Sequence, residues 1–352
     1  MTILFAGGGT LGPVTPLLAV ARALRRLDPS VSFAWAGTPQ GPERALVETA
    51  GIPFFAVPVA RITRYPSREW PLLPVRAWQA WCAAGRILDE VRPEVIATAG
   101  GYTGVPFVLR GRLRGVPSWV HQPDLRPVLS NVIAAPFAEL VTTAWEQTRL
   151  PKAAGKTVVT GNPVRAGVAD GSMARGRAAA GLDGSKPVVL VLGGGGGAQW
   201  INRAVAEQAE RLRSAADIIH VTGAGKNEGW TDRPGYAVRE FVVDEGELAD
   251  LLAAADVVVA RAGMGTLGEL AAVRKPTVLV PIPGSSQEAN AAAAEETGAA
   301  LVARQEEGAG ALADAVRALV ADKRKQRALS ERIGALLPLG AAERIAGLLL
   351  AL

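Results

Sequence analysis

At 352 residues the chain is too long for one core of ordinary size and long enough for two. With 49% hydrophobic and 20% charged residues it is built for burial rather than disorder. Its single cysteine, Cys82, cannot form an internal disulfide, which fits a reducing compartment, and with only His121 and His220 beside it a metal site is not expected. The net charge is uneven: residues 1–162 carry 17 Lys and Arg against 10 Asp and Glu, residues 163–352 carry 21 against 23. The first half therefore invites an anionic partner (nucleic acid, a phosphorylated acceptor or an anionic membrane surface), unless its arginines merely cover solvated faces.

Met1 to Ala6 opens straight into Gly7-Gly8-Gly9 without a basic n-region or cleavage site, so no signal peptide is expected. No apolar run reaches the roughly 18 residues of a membrane span. Strand patterns at Ile3–Ala6 and Ser32–Ala36 alternate with helical patterns at Pro16–Leu27 and Pro42–Thr49. Further strands are expected at Val95–Thr98, Ser118–His121 and Lys156–Thr160, and the Gly161-Asn162-Pro163 turn cluster marks the domain junction. An irregular stretch to Lys186 follows. Strands Val188–Leu192, Ile218–Thr222, Val257–Ala260 and Thr277–Val280 then alternate with helices Trp200–Ala215, Glu247–Ala254, Gly265–Val273 and Ala289–Thr297. Ala341–Leu352 reads as a last helix. The class is α/β, with parallel sheets covered by helices on both faces.

One device recurs. A strand hands over to a helix through a glycine loop at Phe5–Pro16, at Val189–Asn202 and at Val257–Leu270. Exposed N–H groups there meet the positive end of a helix dipole, which makes an anion site. Three such loops in two halves point to phosphate handling in both. None carries the dinucleotide fingerprint with its later acid, and none ends in Gly-Lys-Ser/Thr.

Five segments in register resemble the MurG-type family of UDP-N-acetylglucosamine transferases, which convert lipid I to lipid II in peptidoglycan synthesis. Gly8-Gly9-Thr10-Leu11-Gly12-Pro13-Val14-Thr15-Pro16 is similar to its GGTGGHVxP loop, and Gly100-Gly101-Tyr102 with Pro106 to its GGYxSGP loop. Thr160 to Arg165 looks like TGNPVR, Arg261-Ala262-Gly263 to Leu270 like RxGxxTxxEL, and Gln287 with Asn290-Ala291 like HQxxNA. The resemblance spans nearly the whole chain. It implies a GT-B architecture of two Rossmann-like domains facing across a cleft: 1–162 on the acceptor and membrane side, 163–340 for the UDP-sugar, and a helix at 341–352 packing back on the first. It also implies an inverting transferase without metal or other cofactor, a UDP-N-acetylglucosamine donor, a lipid-linked diphosphate acceptor, no nucleic acid, and a peripheral place on the cytoplasmic face of the cell membrane.

For the donor, Glu269 is expected to accept from a ribose diol, and backbone groups of Gly194, Gly195 and Gly263, Met264 and Thr266 to meet the diphosphate. Gln287 and Asn290, three apart on one helical face, would read sugar hydroxyls. Arg165 would pair with the nucleotide or form a junction salt bridge, and Val243 would present its backbone to uracil. For the acceptor diphosphate the resemblance implies Gly9, Thr10, Leu11, Gly12, Gly101, Tyr102 and Asn131.

Three departures from the family fall in these loops. Leu11 and Pro13 replace glycine and the histidine that is its usual candidate for deprotonating the acceptor, and proline cannot take a proton. His121-Gln122-Pro123-Asp124 stands where the family has HEQN, so Asp124 becomes the candidate base with His121 second, against turn-forming and structural readings of the same residues. Gly193–Gly197 replaces GGSQG and loses side-chain contacts to the donor. These changes keep open a different sugar or acceptor, or a homologue that binds without turnover. The epimerase of UDP-N-acetylglucosamine that shares the architecture would need cleft acids and a histidine not found here.

Residues 61–81 gather three of the eight tryptophans with four arginines. Trp70, Leu72 and Leu73, among prolines, are expected at a bilayer interface, whereas Val75, Trp78, Trp81, Gly85 and Leu88 have the spacing of a helix buried in the core.

Overall fold

The computed structural model describes residues 1–59, 70–153, 157–194, 198–242 and 244–352. The chain divides into two units, Met1–Val164 with Pro338–Leu352, and Arg165–Leu337.

The first unit holds β1 (Thr2–Ala6), β2 (Ser32–Gly37), β3 (Phe54–Ala56), β4 (Val95–Thr98), β5 (Ser118–Gln122), β6 (Leu140–Thr143) and β7 (Thr157–Val159). They form one sheet in the order β3-β2-β1-β4-β5-β6-β7, every pair parallel. Alternation along β1 sends Ile3 and Phe5 to one face and Leu4 and Ala6 to the other, and both faces are buried. On the first face Phe5 packs on Phe33 and Trp35 beneath helix Val14–Leu27, which buries Val14, Leu17, Leu18, Val20, Ala21 and Leu24. Helix Ala341–Leu350 lies against it through Ala342, Ile345, Ala346 and Leu349, and Arg26 pairs with Glu343. The C-terminal helix thus belongs to the first unit. Helices Leu73–Val91, Gly104–Arg114 and Leu129–Ala134 contribute to the other face.

The second unit holds β8 (Val188–Leu192), β9 (Asp217–Val221), β10 (Tyr236–Arg239), β11 (Val257–Ala260), β12 (Thr277–Leu279) and β13 (Leu301–Val302), again all parallel, in the order β10-β9-β8-β11-β12-β13. In both sheets the order reverses direction beside the first strand. That crevice, at the carboxyl ends of β1 and β4 or of β8 and β11, is where doubly wound sheets bind ligands.

The structure differs from expectation in definite places. The stretch after the junction contains helix Met173–Ala179, capped by Ser172, whose hydroxyl accepts from the Arg175 amide. Gly171 and Gly176 let it lie backbone to backbone on helix Glu245–Ala254: a Cβ on Gly176 would stand 2.1 Å from the Asp250 carbonyl oxygen. Asp250 receives the Ser172 amide and both arms of Arg175, which hold its carboxyl below the usual range. The helix expected over Trp200–Ala215 breaks at Gln208 into Gln199–Glu207 and Ala209–Arg213. Helix Leu73–Val91 leaves Val75 and Trp78 exposed, at 53% and 66%, beside Leu72 at 49%. Leu73 is half-buried, and Trp81, also half-buried, lies under the Arg110 guanidinium. The Trp70 side chain and residues 60–69 of this segment lie outside the described residues. Among the described residues no helix is long and apolar enough to cross a membrane.

Candidate active site

In the first unit the switch-point crevice is built from the loops after β1 and β4. Leu11 closes the start of helix Val14–Leu27: its carbonyl accepts from the Val14 and Thr15 amides, both at 3.1 Å, and from the Thr15 hydroxyl. Pro13 occupies the N-cap with helical torsions, where a missing N–H costs nothing. Thr10 and Gly12 are exposed and Leu11 half-buried. The second loop turns through Gly100 and Gly101, with φ of 104° and 85°. A Cβ on Gly101 would meet the Gly8 carbonyl at 3.4 Å and the Pro13 ring at 3.7 Å, so the two loops abut. The Gly101 amide donates to the Ser130 hydroxyl at 3.2 Å, while Tyr102 beside it is half-buried.

Gly9 is already engaged. Its N–H donates to both carboxylate oxygens of Glu43, at 3.2 Å each. Asn131 is also committed: it is 1% exposed, and its amide nitrogen donates to the His121 carbonyl and to Gln122 Oε1, both at 2.8 Å. It fastens helix Leu129–Ala134 to the end of β5 rather than facing a diphosphate.

His121 requires a correction. Its ring is fully buried, with Nδ1 2.8 Å from Thr142 Oγ1 and Nε2 3.3 Å from Asn162 Oδ1. Trp119 Nε1, a donor only, also bonds Thr142 Oγ1. Asn162 Oδ1 can only accept, so Nε2 donates to it, Nδ1 accepts from the Thr142 hydroxyl, and the neutral imidazole is complete. Burial pushes its pKa down to about 4, partly opposed by Asn162. It is a structural histidine and is withdrawn as a base. Asp124, three residues on, is half-buried in the turn leaving β5. Gln122 organises that turn: its amide nitrogen donates to the carbonyls of Asp124 and Arg126, and its oxygen accepts from the Val128 amide.

In the second unit the corresponding crevice lies after β8, β11 and β12. Gly263, extended at the N-cap, starts helix Met264–Val273, whose first internal bond runs from the Leu267 amide to the Gly263 carbonyl. The helix leaves the Gly265 and Thr266 amides unsatisfied from within. Glu269 is 6% exposed, and its Oε1 accepts from Arg165 Nε at 2.7 Å. Burial raises its carboxyl above the ordinary range, with Arg165 opposing. The two residues expected at the nucleotide are thus brought together as a pair. Asn290 is fully buried, its amide donating to the Ala262 carbonyl at 3.1 Å, so it holds the turn rather than reading a sugar with that group. Gln287 Nε2 sits 3.5 Å from where a Gly263 Cβ would stand, while its oxygen accepts from the Ile282 amide. Arg261 reaches across to the Val280 and Pro281 carbonyls and ties the loop after β11 to the end of β12. Gly194 has φ of 75° with open space around it. Gly195 and Val243 lie outside the described residues.

Glu43 and Ser130 were not singled out from the sequence, and Gln122 and Arg261 entered only as letters of the family-like segments, without a role. Glu43, Ser130 and Arg261 reach groups 19 or more residues away, and Gln122 ties main-chain groups of its own turn, neither of which residue type reveals.

Two doubly wound parallel sheets, each with glycine loops at its switch point, define a nucleotide-handling α/β protein of the Rossmann-like class. Residues 3–143 match the glycosyltransferase family 28 N-terminal domain and residues 188–338 the glycosyltransferase family 28 C-terminal domain. The chain belongs to glycosyltransferase family 28. A Nocardioides sp. (strain JS614) protein named UDP-N-acetylglucosamine--N-acetylmuramyl-(pentapeptide) pyrophosphoryl-undecaprenol N-acetylglucosamine transferase is 36% identical to it, over 100% of this chain and 98% of its own. A protein of the same name from Paenarthrobacter aurescens is 37% identical over 86% of this chain and 82% of its own. The crystal structure of Acinetobacter baumannii MurG shares the fold, with a TM-score of 0.74 at 22% identity over 100% of this chain and 99% of that one.

Proposed function

We propose that this protein transfers N-acetylglucosamine from UDP-N-acetylglucosamine to a lipid-linked diphosphate acceptor, undecaprenyl-diphosphate N-acetylmuramyl-pentapeptide, in a single in-line displacement that inverts the anomeric carbon. The observation that carries the reading is the second unit's switch point, where a buried carboxylate, Glu269, stands on the helix whose first-turn amides follow Gly263. A carboxylate suits a ribose diol, and helix N-terminal amides suit the diphosphate that leaves with UDP. The names borne by relatives that align along most of their length support the same donor and acceptor.

Asp124 is the proposed base, since Pro13 cannot accept a proton and His121 is sealed in the core. Thr10, Gly12 and the Gly101-Tyr102 turn are proposed to meet the acceptor's diphosphate. The apolar side chains Leu72, Val75 and Trp78, exposed on a basic unit, support docking on an anionic membrane surface at its cytoplasmic face. Pro13 also supports a second reading, a nucleotide-sugar-binding homologue without turnover. UDP release measured with and without lipid I decides between them: acceptor-dependent release supports the transferase, and its absence with intact UDP binding supports the binding protein.

A further inference from the structure

We propose that Glu43 is the positioning residue of the first glycine loop, an internal carboxylate that holds Gly8 and Gly9 in the shape in which the loop meets the acceptor. The proposal rests on the acceptor reading above. Glu43 is completely buried at the start of helix Glu43–Thr49. Burying a carboxylate is costly unless donors surround it. Here the Gly9 amide reaches both oxygens, and the Thr38 amide and hydroxyl reach Oε1 at 2.7 and 2.5 Å. The donors come from the loop after β1 and the loop after β2, so one side chain joins the two.

The backbone is cut to fit this group. A Cβ on Gly8 would stand 2.2 Å from Glu43 Oε1, and one on Gly41 would stand 1.9 Å from Oε2. Gly9, whose N–H meets the carboxylate, adopts φ of 83°, a conformation that favours glycine. With that N–H taken, the acceptor's charge falls to the exposed part of the loop at Thr10 and Gly12, and to the second loop, which rests on the Gly8 carbonyl through Gly101. A shift of Gly8 and Gly9 would therefore displace both acceptor loops, while the second unit's donor residues would be untouched.

Two variants test this. Glu43→Gln turns one acceptor oxygen into an NH2 group facing N–H donors, and Thr38→Val removes only the hydroxyl donor. Each is compared with wild type by hydrogen exchange of a peptide covering residues 5–14, by equilibrium binding of a soluble short-chain lipid-linked diphosphate acceptor, and by steady-state UDP release. Loss of one charge-assisted bond predicts loop exchange roughly ten-fold faster in Glu43→Gln and about three-fold faster in Thr38→Val. Acceptor affinity and acceptor KM should weaken by similar factors, while donor KM and kcat stay within about two-fold. Unchanged exchange in both variants overturns the tether. Faster exchange with unchanged acceptor affinity makes Glu43 a folding residue only and equally overturns the proposal. Should Glu43→Gln fail to fold, Thr38→Val decides by the same readouts. A wild-type chain that neither binds nor turns over the acceptor counts against the functional reading, whereas variants that match an active wild type count against the role of Glu43 alone.

Discussion

Replacing Glu269 by Gln keeps the side chain's shape and removes its charge. In the structure its Oε1 accepts from Arg165 Nε at 2.7 Å, and the group is almost wholly buried. If the carboxylate receives the ribose diol, the variant loses charge-assisted hydrogen bonding worth about 1.5–3 kcal/mol. That is roughly ten- to a hundred-fold in UDP affinity. The fold should suffer less. The amide oxygen can still accept from Arg165, whose side chain, 27% exposed, recovers hydration, so the loss is about that of one hydrogen bond, ~1 kcal/mol. For a unit of this size that is about 2–4 °C in Tm. Calorimetric titration with UDP beside thermal melts reads both numbers. Equal UDP affinity in the two proteins removes Glu269 from the site. A melt lowered by more than about 10 °C shows instead that the pair holds the unit together. The pH dependence supplies a second check. Burial raises the Glu269 carboxyl above its ordinary 4.5, with Arg165 opposing. UDP affinity should therefore fall as pH drops through the raised value, and the Gln variant should lack that inflection. For stability the sign is opposite: a raised folded pKa contributes fully below 4.5 and is lost as pH rises through the raised value.

Asp124→Asn should cut turnover by about a hundred- to ten-thousand-fold with UDP affinity intact, the range of general-base help, and full activity would remove Asp124 from the chemistry. Wild type should sediment with anionic vesicles at low salt and less at high salt; Ser at Leu72, Val75 and Trp78 together should weaken this without lowering Tm, and unchanged binding would exclude the patch. His121 and His220, both held neutral by burial with pKa about 4, contribute stability that is full above 6.5 and lost as pH falls toward 4. Their ring protons should show no titration by NMR between pH 8 and 5, and an inflection near 6.5 would contradict their burial. Gly176→Ala should destabilise the second unit by about 1–3 kcal/mol, since a methyl there meets the backbone of the neighbouring helix, and a wild-type melt would refute that packing.

The sheets were legible because their central strands are short runs of Val, Ile, Leu and Ala buried on both faces, as at Val188–Leu192 and Val257–Ala260. Phe54–Ala56, Leu140–Thr143, Tyr236–Arg239 and Leu301–Val302, of three, four, four and two residues, were not foreseen, since segments so short leave little period to read. Helix Met173–Ala179 was hidden for another reason. It carries Gly176 and buries little else, and its place is set by Asp250, 75 residues beyond Arg175. Trp78 shows the opposite failure. Its helical spacing with Val75, Gly85 and Leu88 suggested a core stripe, yet only the later turns of helix Leu73–Val91 reach the sheet, and the first turns stay bare.

At the site, glycine loops and the acid on the helix were readable from residue type, but whether a polar group faces a ligand or its own backbone was not. Asn131 and Asn290 both end buried, the first donating its amide to the His121 carbonyl at the end of β5 and the second to the Ala262 carbonyl of the loop after β11. Gly9, expected to present its N–H outward, spends it on Glu43. The same accounting bears on the proposed proton acceptor. A backbone or side-chain donor can serve a ligand only if no internal acceptor already holds it, and a base can serve only if a reactant can reach it. His121 fails on both counts, with each ring nitrogen occupied and no exposed surface. Pro13 fails by chemistry. Asp124 stands in a turn whose backbone is tied down by Gln122, at the carboxyl end of β5, with its side chain partly open to solvent.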